Sequence, residues 1–300
     1  MTHEDHSISV IIPAFNAGKT ISRTLKSVAR QTLLPSEIII VDDNSEDRET
    51  LLDEINSTFI PSSVSIRIIH LSKKANGAVA RNHGLKCATG KYIAFLDADD
   101  QWDTNKLRIC ISHANNGSKR EILYSRVSVI HNNRASGYRP HRGILINENV
   151  SEYLFLSGGF IQTSSIFLSR QHALTIKFNE SFHRHQDYDF CLRAASLGFK
   201  FIFIESTLVK YYTDGKAFSN RTENPRFSKL WSKKMRPHLS RNAYYAFNAF
   251  SVTARHLSSK QYYSAVACFV FNIILLGPMG IYKSRIKLLY VMRHFLKKRR

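Results

Sequence analysis

Three carboxylates follow an apolar run of the chain within four positions: Asp97, Asp99 and Asp100 come directly after residues 93–96. At neutral pH neighbouring anions repel one another, so this arrangement costs stability unless a cation or hydrogen-bond donors lie among the carboxylates. One of them could serve as a turn residue or as the cap of the next helix, which is the simpler interpretation. Mg²⁺ and Mn²⁺ bind carboxylate oxygens and leave coordination positions for phosphates. The segment, with the basic Arg81 nearby in the sequence, therefore predicts a site for a metal-bridged phosphate.

The segments that must position these carboxylates show a repeating pattern. Apolar runs rich in β-branched residues lie at residues 8–12, 37–41, 64–71 and 91–96. Between the first two runs, Ile21, Leu25 and Val28 form one apolar stripe at helical spacing. A second helical segment precedes the fourth run and ends at Gly90, where a helix C-cap is expected. Strands that are apolar on both faces and alternate with amphipathic helices predict an α/β fold with a mostly parallel sheet between helices.

Polar and aromatic residues follow the first two predicted strands. These are Pro13, Phe15 and Asn16 after the first strand, and Asp42 and Asp43 after the second. In a doubly wound sheet ligands bind at the carboxyl ends of the strands, although Asp and Asn are also ordinary turn residues. An aromatic ring can pack flat against a nucleobase while a neighbouring carboxylate accepts a hydrogen bond from the base or the ribose. The combination favours a nucleoside site at this edge of the sheet.

A fourth carboxylate of interest, Asp187, lies in the first turn of the helix predicted for residues 186–198. An acidic residue there can simply favour the positive end of the helix dipole. If the side chain faces a cleft instead, a carboxylate beside the apolar Phe190 is suited to act as a general base. Asp189 is expected to be structural.

The positive charge of the chain is concentrated near its C-terminus. The formal net charge is +20, yet no acidic residue follows Glu223, and 16 of the 43 Lys and Arg residues lie after it. Such asymmetry indicates a polyanionic partner, either nucleic acid or anionic lipid. The sequence shows no helix-turn-helix, zinc-finger or RNA-binding signature, and apolar residues interleave densely with the basic ones. We therefore expect an anionic membrane surface and no nucleic acid.

Two C-terminal segments support this expectation. Residues 261–282 carry no charge, but Asn272 and the Gly277-Pro278 pair interrupt them, so spanning a membrane and lying on it both stay open. Residues 283–300 combine eight Lys or Arg with apolar side chains, as in a helix on an anionic membrane surface. A solvated basic helix packed on the rest of the protein is the alternative.

The cysteines and the N-terminus indicate a reducing compartment. Cys87, Cys110, Cys191 and Cys268 are far apart, without the spacing of a zinc site, and are expected to be buried thiols. The N-terminus lacks the basic start and long apolar run of a secretory signal. The expected location is the cytoplasm, peripheral on the inner face of the cell membrane.

Four segments together resemble family 2 glycosyltransferases of the GT-A fold, of the bacterial cell-surface polysaccharide type. They are SVIIPAFN, EIIIVDDNS, ARNHGLKCATGKYIAFLDADDQW and QDYDFCLR, within a similarity that covers about residues 7–215. The resemblance implies a Rossmann-like, mostly parallel sheet flanked by helices and followed by a basic helical extension. It implies a catalytic domain at residues 1–222, divided into a nucleotide-sugar half (about 1–118) and an acceptor half (about 119–222), and a membrane-associating region at residues 223–300.

The resemblance also implies roles for particular residues. Pro13, Phe15 and Asp43, with Asn16 and Asp42 beside them, would hold the nucleoside. Arg81 would lie near the diphosphate, Asp97 would contact the ribose or sugar, and Asp99 would bind Mn²⁺ or Mg²⁺. Asp187 matches the catalytic base, and Gln162, Thr163 and Ser164 correspond to the loop on the acceptor side.

The sequence departs from the family pattern at three positions. Gln186 stands where Glu often precedes the base, Asn44 replaces a common Gly, and Asp214 stands where a His commonly follows the strand. Asp214 is either a further metal ligand or a turn residue.

The expected function is metal-dependent, inverting transfer of a sugar from a nucleotide-diphospho-sugar, a UDP-sugar by expectation, to a hydroxyl of a glycan or lipid-linked glycan. The alternatives are an inactive nucleotide-sugar-binding or scaffold protein and a nucleic-acid-binding protein.

Overall fold

A computed structural model describes residues 6–115, 119–214 and 225–285 of the chain. Internal contacts divide the chain into two compact units. The first, here called the sheet unit, comprises Met1–Gly143 and Ile161–Asp214, and the second, the helical unit, comprises Ile144–Phe160 and Gly215–Arg300. The division of function between a catalytic region and a membrane-associating region stays a prediction.

The sheet unit is built on one sheet of nine strands. They are β1 (Ile8–Ala14), β2 (Glu37–Asp42), β3 (Ser65–His70), β4 (Tyr92–Phe95), β5 (Gln101–Trp102), β6 (Glu121–His131), β7 (Arg134–Arg139), β8 (Phe167–Ser169) and β9 (Lys200–Tyr212). The strand order is β3-β2-β1-β4-β8-β6-β9-β5, and β7 pairs with β6. Strands β1 to β4 are parallel, and β6 pairs in parallel with β9, whereas β8, β5 and β7 are antiparallel to their neighbours.

Six helices accompany this sheet in the part of the sheet unit that the structure describes. They are α1 (Ile21–Ala29), α2 (Arg48–Ser57), α3 (Gly77–Cys87), α4 (Lys106–His113), α6 (Arg170–Ile176) and α7 (Gln186–Ser196). The described helical unit contains α5 (Val150–Phe155), α8 (Pro225–Lys234), α9 (Arg241–Ala246), α10 (Thr253–Ser258) and α11 (Tyr262–Lys283).

The apolar patterns of the sequence largely explain this architecture. Strands β2 and β4 are buried along their whole length, and the predicted stripe Ile21, Leu25 and Val28 of α1 is fully buried. Strand β3 differs from the expectation of two buried faces, because it lies at the edge of the sheet and exposes its first three residues. The predicted mixed α/β class with a mostly parallel sheet is confirmed.

Helix α3 packs closely on β1 and β2 because of a glycine at its centre. A Cβ atom at Gly84 would lie 2.6 Å from Cγ2 of Ile11 and 3.3 Å from Cγ2 of Val41. The helix ends at Cys87, so the predicted C-cap at Gly90 is wrong. Gly90 instead allows close approach to β1, where a Cβ atom would lie 2.7 Å from Oγ of Ser9.

The strand register gathers the predicted site residues at one edge of the sheet. Ala14 is paired with Asp42 on β2, and Ile11 is paired with Phe95 on β4. The turns after β1, β2 and β4 therefore emerge side by side at the carboxyl ends of the strands, with β1 between its two neighbours. This is the position where doubly wound sheets bind ligands.

Within the helical unit, α11 is an apolar helix that is interrupted as predicted. Gly277 has non-helical backbone angles, with φ 70° and ψ 173°. In the part of the chain that the structure describes, α11 is the one helix that is long and apolar enough to cross a membrane by length and composition. The basic helix predicted for residues 283–300 lies, from residue 286 onward, outside the described residues.

All four cysteines are free thiols. Cys110 and Cys191 are buried as predicted, whereas Cys87 and Cys268 are only half-buried.

Candidate active site

The three carboxylates of the loop after β4 lie in three different environments. Asp100 is fully buried. Its carboxylate accepts hydrogen bonds from Nε2 of Gln162 at 2.8 Å, Oγ of Ser164 at 2.6 Å and the backbone N–H of Tyr212 at 3.1 Å. Burial, together with the charges of Asp99 and Asp97, raises the pKa of Asp100 well above its usual value. The protein thus lowers the repulsion within the loop by disfavouring ionisation of the buried member.

Asp97 is held by a basic partner. Its Oδ1 accepts a hydrogen bond from Nη2 of Arg81, and 26% of its side chain is exposed. The backbone N–H of Asp97 donates to Oγ of Ser164 at 3.0 Å, and Nε2 of Gln162 lies 3.4 Å from Oδ2. Arg81 is therefore one of the donors that the acidic segment required.

Asp99 is the exposed carboxylate of the loop. Its carbonyl oxygen accepts a hydrogen bond from Nη2 of Arg23 at 2.7 Å, and the guanidinium of Arg23 lies 3.7 Å from the ring centre of Tyr212. The hydroxyl of Thr24 lies 2.9 Å and 2.8 Å from the carbonyl oxygens of Ala98 and Asp100. The backbone of the loop is thus fixed from α1, while the Asp99 side chain is accessible to a ligand.

Phe15 and Asp43 lie at the ends of neighbouring strands, as predicted for a nucleoside site. Asp43 is buried, and its Oδ1 accepts a hydrogen bond from the backbone N–H of Ala75 at 2.7 Å. Burial raises the pKa of Asp43, although this N–H and the charge of Lys74 oppose the shift. Nζ of Lys74 lies 3.7 Å from the ring centre of Phe15. A carboxylate, an aromatic face and a cation therefore meet at this edge.

Asp42 and Asn16 stabilise the turn beside these residues. Asp42 accepts hydrogen bonds from the backbone N–H and the hydroxyl of Ser45, and its other oxygen lies 3.1 Å from Nδ1 of His70. Oδ1 of Asn16 accepts from the N–H of Glu46 at 2.8 Å. Pro13 precedes them as the half-buried sixth residue of β1.

Asn44, which departs from a common Gly, has φ 57°. Asn tolerates this left-handed region better than most residues, so the substitution keeps the turn.

Asp187 lies near the charged groups of the loop. Its Oδ1 accepts a hydrogen bond from the N–H of Tyr188 at 2.9 Å, so it contributes to the first turn of α7. Burial raises the pKa of Asp187 to about 6; the Tyr188 N–H and the charge of Arg81 oppose this shift, and the charge of Asp97 adds to it. A carboxylate with this pKa is largely ionised at neutral pH and still accepts a proton readily. Asp189 pairs instead with Arg193 on its own helix, at 2.6 Å.

Gln186 connects helix α7 to the loop after β4 through Arg81. The sequence pattern did not reveal this role. Its Oε1 accepts a hydrogen bond from Nη1 of Arg81 at 2.9 Å, and its Nε2 donates to the carbonyl of Phe182 at 2.6 Å and to Oδ1 of Asn76 at 3.2 Å. A carboxamide can accept and donate at the same time, whereas a Glu carboxylate at this position could not donate. Asn76 in turn caps α3, because its Oδ1 accepts from the N–H of Ala78.

Gln162, Thr163 and Ser164 are buried beside the loop, with Thr163 and Ser164 in a short 3-10 turn. Nε1 of Trp102 donates to the Ser164 carbonyl at 2.9 Å, which fixes this turn. Oε1 of Gln162 is buried without a hydrogen-bond partner in the described part of the chain.

Tyr211 on β9 is a further site residue that the sequence did not indicate. Burial and the charges of Asp100, Asp187, Asp97 and Asp99 raise its pKa well above the usual value. Tyr211 is therefore close enough to these carboxylates for their charges to act on its hydroxyl. In the sequence, Tyr211 stands out only as part of the stretch YYTD at residues 211–214. That stretch does not show which strand pairs with the one that carries Tyr211.

Asp214 is paired within a turn of the sheet unit. Its Oδ1 lies 2.8 Å from Nδ1 of His131, and its Oδ2 accepts from the N–H of Asn132. In the described residues no group of three or more His, Cys, Asp or Glu side chains is placed to hold a metal ion. A role for Asp214 as a metal ligand stays a prediction.

Comparison with known proteins identifies the family. The family described as "Glycosyl transferase family 2" matches residues 9–176. The amylovoran biosynthesis glycosyltransferase AmsB of Erwinia amylovora is 39% identical over 258 residues, which cover 84% of this chain and 85% of that protein. A glucosyltransferase of Escherichia coli, WfgD, is 38% identical over 138 residues, which cover 45% of this chain and 51% of that protein.

The fold is similar to that of a solved structure of Staphylococcus aureus TarS, residues 1–349, in complex with UDP-GlcNAc. The TM-score is 0.60 at 20% sequence identity, and the similarity covers 84% of this chain and 73% of that chain. The predicted GT-A fold is thereby confirmed. With the family match and the AmsB similarity, the chain belongs to glycosyltransferase family 2.

Proposed function

We propose that this glycosyltransferase transfers a sugar, with inversion, from a nucleotide-diphospho-sugar to a hydroxyl of a growing bacterial surface polysaccharide on a lipid-linked acceptor. The observation that carries the proposal is the linked set of Asp187, Gln186, Arg81 and Asp97 beside the exposed Asp99. It joins a carboxylate with a raised pKa, a diphosphate-binding cation and an accessible carboxylate at the carboxyl edge of one sheet.

The donor side is supported by residue chemistry and by the relatives. Phe15 offers an aromatic face to a base, Asp43 a carboxylate to base N–H or ribose groups, and Lys74 and Arg81 positive charge to a diphosphate. The WfgD name specifies UDP-Glc as donor, and solved TarS structures contain UDP-GlcNAc or UDP. A UDP-sugar is therefore the first donor to test.

The carboxylate oxygens at this edge of the sheet fit a divalent cation that is bound together with the substrate. Mg²⁺ typically uses one or two protein carboxylates plus substrate phosphates. The exposed Asp99 and the partly exposed Asp97 supply that number, whereas Asp100 is fully buried. A bound Mg²⁺ or Mn²⁺ would supply charge stabilisation to the departing diphosphate.

Asp187 is proposed to remove the proton from the acceptor hydroxyl as its oxygen attacks the anomeric carbon. A single displacement, with the base opposite the leaving nucleotide, inverts the configuration at that carbon. Arg81 and Gln186 hold the first turn of α7 against the loop, so the base and the donor are positioned by the same hydrogen bonds.

The acceptor and the location are proposed from the relatives and from α11. The WfgD name specifies a diphosphoundecaprenol-linked acceptor, and AmsB is named for the biosynthesis of a polysaccharide. Helix α11 buries Ala265, Asn272 and Leu276 and exposes large apolar side chains elsewhere, including Tyr263, Phe271 and Ile274. An exposed apolar face of this kind is typical of a membrane contact.

The break at Gly277 favours a helix that lies on the membrane. The segment from Tyr262 to Leu276 would reach only about 22 Å as a regular helix, which is short of the roughly 30 Å of a bilayer core. We place the enzyme on the cytoplasmic face of the cell membrane, bound through α11 and the basic residues after it.

The first prediction concerns the base. Asp187→Asn removes the proton acceptor without changing side-chain size, so transfer turnover should fall by about 10²–10⁴-fold, while the Kd for the donor changes by less than about threefold. The measurement is the rate of sugar transfer and of metal-dependent hydrolysis for each member of a panel of nucleotide sugars. The nucleotide sugar that is consumed also identifies the donor. Asp53→Asn, an exposed change of the same kind on α2, is the control and should retain full turnover. Full turnover in the Asp187 variant would refute the assignment.

The second prediction concerns pH. Because the pKa of Asp187 is about 6, transfer at saturating donor should rise through a midpoint near pH 6 and reach a plateau above pH 7. The folded chain also holds this proton more tightly than the unfolded chain, so ionisation of Asp187 destabilises the fold as pH rises from about 4 to 6. Asp187→Asn should therefore have a higher melting temperature than the wild type at pH 7.5, and the difference should disappear towards pH 4. A midpoint near pH 4 in the rate profile would show that the base lies elsewhere.

The third prediction concerns the membrane. Phe271→Asp places a charge on the exposed face of α11 and should reduce flotation of the full chain with anionic phosphatidylglycerol vesicles by at least about tenfold, since burial of a Phe side chain contributes roughly 1.5–3 kcal/mol. Phe59→Asp is the matched control, because Phe59 is 80% exposed in the sheet unit and Phe271 is 63% exposed. Equal flotation of the two variants, or a tight DNA shift without vesicle binding, would contradict the proposed location.

A further inference from the structure

A cavity of about 780 Å³ lies in the sheet unit, apart from the residues assigned to the donor. It is bounded by α1, β5 and the strands β6, β7 and β9. Its volume is within the range of roughly 300–1,000 Å³ that is usual for small-ligand sites. None of Phe15, Asp43, Arg81 and Asp187 lines it. It is therefore a concave surface separate from these four residues, which the proposed transfer does not use.

The lining of this cavity is strongly basic. Its basic side chains are Lys26, Arg30, Arg126, His141 and Lys210, and Asp103 is the one acidic residue that lines it in the described part of the chain. Oδ1 of Asp103 accepts a hydrogen bond from the N–H of Asn105 at 2.9 Å. The basic lining therefore lacks a matching set of carboxylates.

Three of the basic side chains are available to a ligand. Lys26, Arg30 and Lys210 are exposed and have no side-chain ion pair or hydrogen bond with the residues that the structure describes. Arg126 is partly engaged by Glu205, at 3.1 Å, and Glu205 itself is 82% exposed. Like charges that converge on one cavity repel one another, so an anionic occupant would stabilise this arrangement.

The remaining lining is suited to a saccharide. Tyr138 exposes 54% of its surface, whereas Trp102, which also lines the cavity, is only 4% exposed. Aromatic side chains with an apolar body and a polar edge suit ligands that combine C–H faces with hydroxyls. Ser128, Thr207 and Gln101 add hydrogen-bonding groups to the same lining.

The cavity is joined to the acidic loop through Tyr212 and Gln101. The hydroxyl of Tyr212 donates to Oε1 of Gln101 at 2.6 Å, and its backbone N–H donates to Oδ1 of Asp100 at 3.1 Å. Gln101 directly follows Asp100 in the chain. A ligand in the cavity would therefore lie beside the loop that carries Asp99.

We propose that this cavity binds an anionic segment of the glycan that the enzyme extends, through carboxylate or phosphate groups on its sugars. The inference rests on the proposed function, because it takes the glycan as the source of the anion. It adds a binding site for the charged part of the glycan, separate from the site where the hydroxyl reacts.

Calorimetric titration of the full chain with trigalacturonate, without donor or metal, tests this proposal. Trigalacturonate should bind at about one site per chain, and neutral maltotriose at least tenfold more weakly. Glucose 6-phosphate forms the second arm of the test and shows whether the cavity also accepts phosphate.

Charge reversal locates the binding. Lys26→Glu/Lys210→Glu should weaken trigalacturonate binding at least tenfold, and the milder Lys26→Gln/Lys210→Gln at least threefold. Lys86→Glu/Lys200→Glu makes the same charge change at exposed positions on α3 and at the far end of β9, and should stay within twofold of the wild type. Equal weakening by both reversals would show attraction to net charge only and would overturn the proposal, as would no binding of either anionic probe.

Donor binding, measured separately with UDP-sugars, keeps this inference distinct from the proposed function. A chain that binds a UDP-sugar but no anionic saccharide refutes the cavity proposal alone. A chain that binds trigalacturonate in the cavity but no nucleotide sugar refutes the proposed function alone.

Discussion

The distribution of charge in the loop after β4 is the constraint on which the site depends. Three carboxylates within four residues can coexist only if their environments differ. Asp100 is buried and accepts hydrogen bonds from the Gln162 side chain and the Tyr212 N–H. Burial and the neighbouring charges raise its pKa. Asp97 is paired with Arg81, and Asp99 is exposed on a backbone that Arg23 fixes. The fold thereby leaves one carboxylate of the loop, that of Asp99, exposed at the surface.

Arg81 links this loop to the proposed base. Its two terminal nitrogens donate to Asp97 and to Gln186, so one guanidinium bridges the loop after β4 and the start of α7. The same charge favours ionisation of Asp187, while burial opposes it. A carboxylate with a pKa of about 6 is a stronger proton acceptor than an ordinary Asp and is still ionised at neutral pH. Arg81 therefore holds the first turn of α7 and moderates the rise in the pKa of Asp187 that burial causes.

The sequence predicted much of the fold, because periodicity reports which faces are buried. It placed the four parallel strands and the helical stripe of α1, and the ends of those strands revealed Asp43 and Asp97. It could not show which distant segments lie near one another: Tyr211 experiences the charges of these carboxylates from β9, a strand that pairs with β6. The C-cap expected at Gly90 failed for a similar reason, since this glycine serves a close approach to β1. The sequence showed Gln186 only as a departure from the family pattern, because its role depends on accepting one hydrogen bond and donating two others at the same time.

Anomalous diffraction from crystals of the full chain with Mn²⁺ and UDP would show whether Asp99 binds a metal. We expect a manganese peak about 2.0–2.3 Å from a carboxylate oxygen of Asp99, with the UDP diphosphate completing the coordination and the uracil beside Phe15. A bound UDP with no manganese peak near Asp99, and with that side chain directed into solvent, would show that this loop does not present a carboxylate to a metal-bridged diphosphate.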